Sequence, residues 1–216
     1  DKVDYADIRA GTGNNTNIIM KDNKIQEINT GISNGARIRV LNNGAWGFAY
    51  TNDLNKLDDI TQTAIKISKS LKGDVELSEA DIVKDKVKTP RKISVNDVDI
   101  EEKKELMADA NKSASVGKVI STTVNYQDSE SETAIVTSEG TEIIQDETRI
   151  GLWLNTVASS GDLIQFGHGS LGGAKGYEIL KNADIERVGK KIGEKATNLL
   201  NASTAPSGKF PIITDN

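Results

Sequence analysis

The sequence predicts an α+β fold of antiparallel sheets with packed helices, divided into two sub-domains. Short runs of alternating apolar and polar residues, separated by turn residues, are typical of antiparallel strands. Longer stretches with apolar residues at spacings of three and four predict amphipathic helices. Both patterns occur before and after a charged stretch at 74–98. We therefore expect two units, each with strands and at least one helix.

The first unit, residues 1–73, is predicted to be a β-meander followed by one helix. Asn34-Gly35 and Asn43-Gly44 stand between strand-like runs, and Asn-Gly pairs favour tight hairpin turns because both residues tolerate positive φ. Asp22-Asn23 marks a third turn. The predicted strands are 4–9, 16–21, 24–32, 36–41 and 45–50. The helix is predicted from the apolar stripe Leu57, Ile60, Ala64, Ile67 and Leu71.

The last strand of this unit has two different faces. One carries aromatic side chains, which we assign to the core: Trp46, Phe48 and Tyr50. The other carries only small residues, so that a helix can approach it closely: Ala45, Gly47 and Ala49. In the strand before it, Arg37 and Arg39 share a face. They could grip a carboxylate or phosphate, although surface ion pairs are the favoured interpretation.

Residues 74–98 are predicted to be a linker or a surface excursion, because they are charged and contain Pro90. The second α+β unit spans 99–204. Asp99 and Glu102 resemble a capping box that starts a helix ending near Ser115. Strands are predicted at 118–126, 132–138, 141–145, 148–158 and 163–167, and a final helix from Asp184. Residues 210–213 resemble another strand, so 205–216 is expected to begin a C-terminal domain, with more chain downstream.

Composition excludes several classes of protein. The 216 residues contain no cysteine, which excludes disulfides, thiolate nucleophiles and Cys-ligated metals. The net charge of -5 argues against direct nucleic acid binding, which normally requires a basic surface. No apolar run is long enough for a transmembrane helix, so we expect no membrane association. A cysteine-free chain fits the reducing cytoplasm, and a cytoplasmic protein is expected.

The single histidine, His168, lies in a glycine-rich stretch at 167–176. One histidine gives little support to a zinc site or to a Ser-His-Asp triad. The glycines could cradle a phosphate, but their spacing matches neither a P-loop nor a dinucleotide motif. A packed strand-to-helix connection is the favoured alternative. The acidic residues Glu130, Glu132, Glu142, Asp146 and Glu147 are interpreted as a solvated face. No catalytic or metal-binding residue is assigned.

Three strings together resemble the N-terminal part of the TldD/PmbA family, the modulators of DNA gyrase. They are GARIRVLNNGAWGFAYT, GGAKGYEIL and APSGKFPIITDN, in the family's order along the chain. The resemblance implies a zinc metallopeptidase that acts on peptides or unfolded protein and forms a homo- or heterodimer with a family member. Its zinc would be bound by an H-E-x-x-x-H helix and a distant cysteine, and neither occurs here. Zinc is therefore implied only for the full-length protein, and no cofactor for this chain.

The expected function is that of a non-catalytic N-terminal region, which contributes a substrate channel and dimer contacts. An extended peptide could add to a sheet edge by β-augmentation. The candidate substrate-channel residues are Gly167, His168, Gly169, Gly172 and Gly173. Two alternatives stay open: the N-terminal region of a PmbA-type non-catalytic partner subunit, and a DNA gyrase-associated regulator. The acidic composition weighs against DNA contact in the second.

Overall fold

The computed structural model of the protein describes residues 2–204 and 206–214. Within these residues seven strands form one sheet, in the order β3-β2-β1-β5-β6, and β4 and β7 pair with successive parts of the outer side of β6. All pairings are antiparallel except β4 with β6. The strands are β1 Tyr5–Lys21, β2 Lys24–Asn42, β3 Ala45–Thr51, β4 Lys84–Lys88, β5 Val119–Thr137, β6 Glu142–Ser160 and β7 Leu163–Gly173.

Four α-helices accompany the sheet in the described residues: α1 Leu57–Ser70, α2 Ile100–Ala114, α3 Glu178–Lys181 and α4 Ile185–Leu199. Two main hydrophobic clusters lie between helices and sheet, and a third, small one joins Ala158 of β6 to Ala196 of α4. The larger joins β1, β5 and β6 to α2 and α4 around Ile18, Tyr126 and Leu152. The smaller joins β2 and β3 to α1 around Ile38 and Ala64. The α+β class is confirmed.

Four strands, β1, β2, β5 and β6, each span two of the predicted strands. The turns at Asp22-Asn23 and Asn43-Gly44 are confirmed, with positive φ at Asp22, Asn23, Asn43 and Gly44. The hairpin predicted at Asn34-Gly35 is wrong, because both residues lie inside β2 and stay in register with β1. The predicted breaks in β1, β5 and β6 are also absent. In each case the neighbouring strand continues the ladder and keeps the backbone extended.

The assignment of the β3 aromatics to the core is wrong. Phe48 is 48% exposed and Tyr50 72% exposed. The small face is buried instead, as expected for a closely packed helix. A Cβ atom on Gly47 would lie 1.9 Å from the carbonyl oxygen of Ala64 in α1. Helix α1 can therefore approach β3 this closely only because residue 47 has no side chain.

The ends of the predicted helices follow the expected positions, but not always the expected contacts. Asp184 caps α4, since its carboxylate accepts a hydrogen bond of 3.0 Å from the Arg187 N–H. The capping box at Asp99 is wrong, because the Asp99 side chain makes no cap hydrogen bond. The strand predicted at 210–213 is not formed. Positions 205, 215 and 216 of the predicted next domain lie outside the described residues.

The stretch at 74–98 contributes to the sheet. Its residues Lys84–Lys88 form β4, the parallel strand against the start of β6. A 3₁₀ turn at Val95–Asp97 follows, and Val95 is fully buried in the larger cluster. The charged sequence of this stretch fits an exposed edge strand, since all five β4 residues are exposed. The boundaries of the sub-domains stay a prediction.

Candidate functional site

One face of the sheet carries no helix in the described residues, and we call it the open face. Successive strand residues point to opposite faces. The strand residues of the two main hydrophobic clusters point to the face that carries the helices, and the register aligns them across neighbouring strands. The residues that alternate with them therefore lie together on the open face. At the β7 end the open face presents Asn17, Ile19, Asn125, Gln127, Trp153, Asn155, Phe166, His168 and Ser170.

The predicted substrate-channel residues all lie in β7, but on both faces of the sheet. His168 and Gly172 are on the open face, opposite Asn155 and Gly151 of β6. Gly167 and Gly169 face α4 instead. A Cβ atom on Gly167 would lie 2.3 Å from the carbonyl oxygen of Ile192, and one on Gly169 would lie 2.7 Å from the Ile192 side chain. The closest approach to these two glycines is thus made by α4.

Gly173 faces α3, with Ile179 Cδ1 3.5 Å from the position of an added Cβ atom. The glycine-rich stretch is mostly a regular strand, since β7 continues through Gly173. The prediction of a strand-to-helix connection therefore holds only for the last residues, 174–176. Close packing accounts for Gly167 and Gly169 beside α4, and also for Gly172 and Gly176, where an added Cβ atom would lie 2.4 Å from the Ile150 carbonyl oxygen and 2.2 Å from the Ile93 carbonyl oxygen.

The outer edge of β7 is unpaired. Among the described residues β7 forms a ladder with β6 alone, so the N–H and C=O groups on its other side have no strand partner. Three large apolar side chains are exposed along this strand, Leu163, Ile164 and Phe166, the last of them by 62%. Natural edge strands are usually protected by charges, bulges or covering elements. This edge has the chemistry of a surface that accepts another strand.

A cleft of about 520 Å³ lies on the open face beside Trp153. Its walls combine the Trp153 ring and other apolar surface with amide, hydroxyl and guanidinium groups, and the Gln127 amide donates a 3.0 Å hydrogen bond to Asn17 Oδ1. Nearby, the buried Oδ1 atom of Asn125 has no hydrogen-bond partner among the residues that the structure describes. Sequence reasoning missed this cleft. The available signal was the pair of alternating amides on each of two strands, Asn15 and Asn17, then Asn125 and Gln127.

A buried ionic network supports the opposite face of the same strands. Lys103 Nζ of α2 lies 2.7 Å from Asp128 Oδ2 and donates a 2.9 Å hydrogen bond to the Val95 carbonyl. Tyr126 also donates its hydroxyl hydrogen to Asp128. Burial, and then the charge of Asp128, raise the pKa of Tyr126, so that this hydroxyl stays a donor. Burial also raises the pKa of Tyr177 to about 12.

A second ionic cluster fixes the chain that leads into α2. Arg91 lies 2.5 Å from Asp146 and 2.7 Å from Glu130, and donates a 3.0 Å hydrogen bond to the Thr148 hydroxyl. The interpretation of Glu130 and Asp146 as part of a solvated face is wrong, because their side chains are mostly buried against Arg91. The hydrogen bond from Arg91 holds the pKa of Asp146 below its usual range.

Two family models cover most of the chain. The model of the PmbA/TldA metallopeptidase domain 1 matches residues 6–68, and that of the PmbA/TldA metallopeptidase central domain matches 93–200. The chain belongs to the PmbA/TldD family. The two family domains share the single sheet described above, because β1 to β3 come from the first and β5 to β7 from the second.

Relatives of this PmbA/TldD chain include proteins named as metalloproteases. One from Methanothermobacter thermautotrophicus is 50% identical over 215 residues, covering 100% of this chain and 47% of the relative. Metalloprotease MJ0996 of Methanocaldococcus jannaschii is 36% identical over 219 residues, covering 98% and 48%. The chain thus spans about half the length of the curated relatives it matches.

Solved structures share the fold. A Bacteroides thetaiotaomicron protein named as a candidate modulator of DNA gyrase (BT3649) aligns with a TM-score of 0.76 and 17% identity, covering 96% of this chain and 48% of that one. TldE from Thermococcus kodakarensis aligns with a TM-score of 0.65 and 16% identity, covering 92% and 44%. At this level of identity the similarity establishes the PmbA/TldD architecture alone.

The residues of this PmbA/TldD chain do not fit a catalytic zinc site. Within 2–204 and 206–214 no three His, Cys, Asp or Glu side chains gather closely enough to hold a metal ion. His168 is exposed, and its cross-strand partner is Asn155 rather than a metal ligand. No helix in these ranges is both long enough and apolar enough to cross a membrane.

Proposed function

We propose that this chain is the N-terminal, non-catalytic region of a TldD-type metallopeptidase and that it receives extended peptides or unfolded protein segments along β7. The observation that carries the proposal is the unpaired outer edge of β7, which runs beside the open face. Metalloprotease names among relatives at 50% and 36% identity support the peptidase context. The zinc implied by the family would be bound by residues other than those described here.

Recognition by β-augmentation suits a peptidase with many substrates. Main-chain hydrogen bonds supply most of the affinity and do not depend on the peptide's sequence. The exposed Ile164 and Phe166 side chains would contact alternate residues of the bound peptide. Gly172 and Gly173, at the other end of β7, would leave room for its backbone. In this arrangement β7 forms one wall of the substrate channel.

The remaining expectations belong to the same proposal. The protein would act in the cytoplasm as a homo- or heterodimer with a family member, and no residue is assigned to the dimer contact. The support for a role as gyrase regulator is the name of the Bacteroides thetaiotaomicron protein, which is 17% identical to this chain. The net charge of -5 does not favour the DNA contact that such a role suggests.

Hydrogen exchange tests the assignment of β7. Addition of an unfolded, protease-resistant peptide to the chain should slow exchange of the outward-facing β7 amides. Phe166→Lys should weaken this protection, because a charge replaces an apolar contact. Ile32→Lys is the matched control, since Ile32 is 83% exposed on the part of β2 that lies beyond the β3 pairing and forms the opposite edge of the sheet. Protection of β2 with none at β7 would contradict the proposal.

Peptidase assays test the division of labour. The complete gene product should cleave an unfolded peptide in a chelator-sensitive manner, whereas the 216-residue chain alone should not. Activity in the chain alone would show that the catalytic residues lie within it. If the complete product cleaves nothing, the PmbA-type partner-subunit role replaces the present one.

A further inference from the structure

Two arginines face each other on the open face, at the end of the sheet far from β7. Arg9 of β1 and Arg37 of β2 are direct register partners. Directly opposed residues have Cβ atoms about 4.5–5.5 Å apart, and like charges in this position are destabilising. No described residue forms an ion pair or hydrogen bond with either guanidinium.

The missing counter-charge is specific to this pair. The four other arginines of the chain each have a carboxylate partner: Arg39, Arg91, Arg149 and Arg187. Asp7, two residues before Arg9 on the same strand face, is already bound by Arg39 at 2.7 Å. Arg39 also lies 5.0 Å from the centre of the Trp46 ring. Asp7 is therefore occupied and does not neutralise the opposed pair.

The two arginines line a shallow cleft of about 410 Å³ with no carboxylate in its lining. Gly11 and Gly35 are register partners beside the arginines and form its floor. A Cβ atom on Gly11 would lie 2.8 Å from the carbonyl oxygen of Glu132, so a side chain there would disturb β5. The other side chains on this face of the cleft are polar: the hydroxyl-bearing Ser33, Tyr50, Ser131 and Thr133, and the amide-bearing Asn52.

We propose that this cleft binds a carboxylate group of a peptide. Guanidinium groups match the two oxygens of a carboxylate with parallel N–H donors, and two of them directly opposed can bind one anion together. The neighbouring hydroxyls supply neutral donors. The exposed ring of Tyr50 offers an apolar surface to the residue that bears the carboxylate. That the ligand is a peptide rests on the proposed function. A C-terminal carboxylate and an Asp or Glu side chain have the same chemistry here.

Peptide binding to the intact 216-residue chain tests the site. Three N-acetylated alanine-rich octapeptides serve as probes: one with a free C-terminus, one amidated with a central Glu, and one amidated and neutral. At least one acidic peptide should bind about tenfold more tightly than the neutral one, as expected for charge-assisted hydrogen bonds. Arg9→Gln and Arg37→Gln should each remove that preference. Arg187→Gln, an exposed arginine on α4, should leave it unchanged.

The two acidic probes separate the C-terminal from the side-chain source of the carboxylate. Equal affinity for all three peptides, or a preference that survives both arginine substitutions, overturns the site. Binding of inorganic phosphate without any preference among the peptides also overturns it. Failure of the β7 proposal gives a different result, since the β7 amides would then stay unprotected while the carboxylate preference persists.

Discussion

Loss of the Lys103 ammonium should destabilise the protein strongly, because it leaves a buried carboxylate without its cation. The Lys103 and Asp128 side chains are only 5% and 2% exposed, and their charged atoms are 2.7 Å apart. Removing one partner of such a buried pair typically costs about 3–5 kcal/mol. Lys103→Met keeps most of the side-chain volume, so the change in the free energy of unfolding reports mainly the lost charge. For a chain of this size the cost corresponds to a fall in melting temperature of roughly 6–20 °C.

Urea unfolding followed by circular dichroism measures this cost, and a neighbouring lysine provides the control. Lys104 pairs with Glu101 at 2.8 Å on the exposed side of α2, with 30% and 71% of the two side chains exposed. Lys104→Met should cost less than about 0.5 kcal/mol. If Lys103→Met costs no more than Lys104→Met, the Lys103–Asp128 pair is not shielded from water and the reasoning is refuted.

A double substitution separates the charge from the rest of the network. Lys103→Met with Asp128→Leu removes both charges and should recover part of the lost stability. Recovery should be incomplete, because the buried Tyr126 hydroxyl then loses its acceptor, at a cost of about 1–3 kcal/mol. Full additivity of the two single substitutions would show that the residues do not interact.

Three further changes have expected outcomes that unfolding measurements can check. Gly47→Ala should cost roughly 1–3 kcal/mol, since the added Cβ would collide with the Ala64 carbonyl and displace α1. Asp184→Ala should cost about 1 kcal/mol through loss of the α4 cap. The pKa of Asp146 is lowered by Arg91, so this pair stabilises the fold above the unfolded-state value of 3.8 and ceases to do so as pH falls through the lower folded-state pKa. Arg91→Gln should therefore lower stability at neutral pH and flatten its acid dependence.

Glycine and arginine controls accompany these changes. At Gly31 an added Cβ would meet only the flexible Asn15 side chain, at 2.8 Å. Gly31→Ala should thus cost far less than Gly47→Ala, and equal costs would contradict the packing explanation. Arg187→Gln should leave the acid dependence of stability intact, because its exposed pair with Asp184 has a distance of 3.6 Å.

Helices α1, α2 and α4 could be predicted from the spacing of their apolar residues, whereas the four-residue helix α3 was not predicted. Helix α4 begins at Ile185, directly after the predicted start at Asp184. In α1 the predicted stripe is buried at Ile60 and Ala64, but Ile67 and Leu71 are exposed.

The long strands could not be predicted in full. The gaps between the predicted strands, 10–15 in β1 and 33–35 in β2, contain no buried residue, so they lack the alternation that marks a half-buried strand. At Asn34-Gly35 the residue types were taken for a turn.

The candidate site, too, could be predicted from the sequence only in part. The sequence located the glycine-rich stretch and its histidine, but it predicted neither that most of the stretch is a strand nor which residues face the helix, because the positions of α4 and β6 decide that. The opposition of Arg9 and Arg37 is equally hidden, since it arises from the register of β1 and β2. Surface pairing was the favoured interpretation of Arg37 and Arg39. It is confirmed for Arg39 alone.

The two proposed contacts lie far enough apart to set a minimum length for a peptide that uses both. Gly173, at the end of β7, pairs with Ile150 of β6, and Ile150 pairs with Asp128 of β5. Arg9 of β1 pairs with Ile135, which lies further along β5. At about 3.4 Å per residue along the strands and about 4.8 Å between strands, the separation is roughly 28 Å. An extended chain needs about eight residues to cover that distance. If both proposed contacts act on one peptide, we expect unfolded segments to bind more tightly than peptides of fewer than about eight residues, because only the former can reach the β7 edge and the arginine pair together.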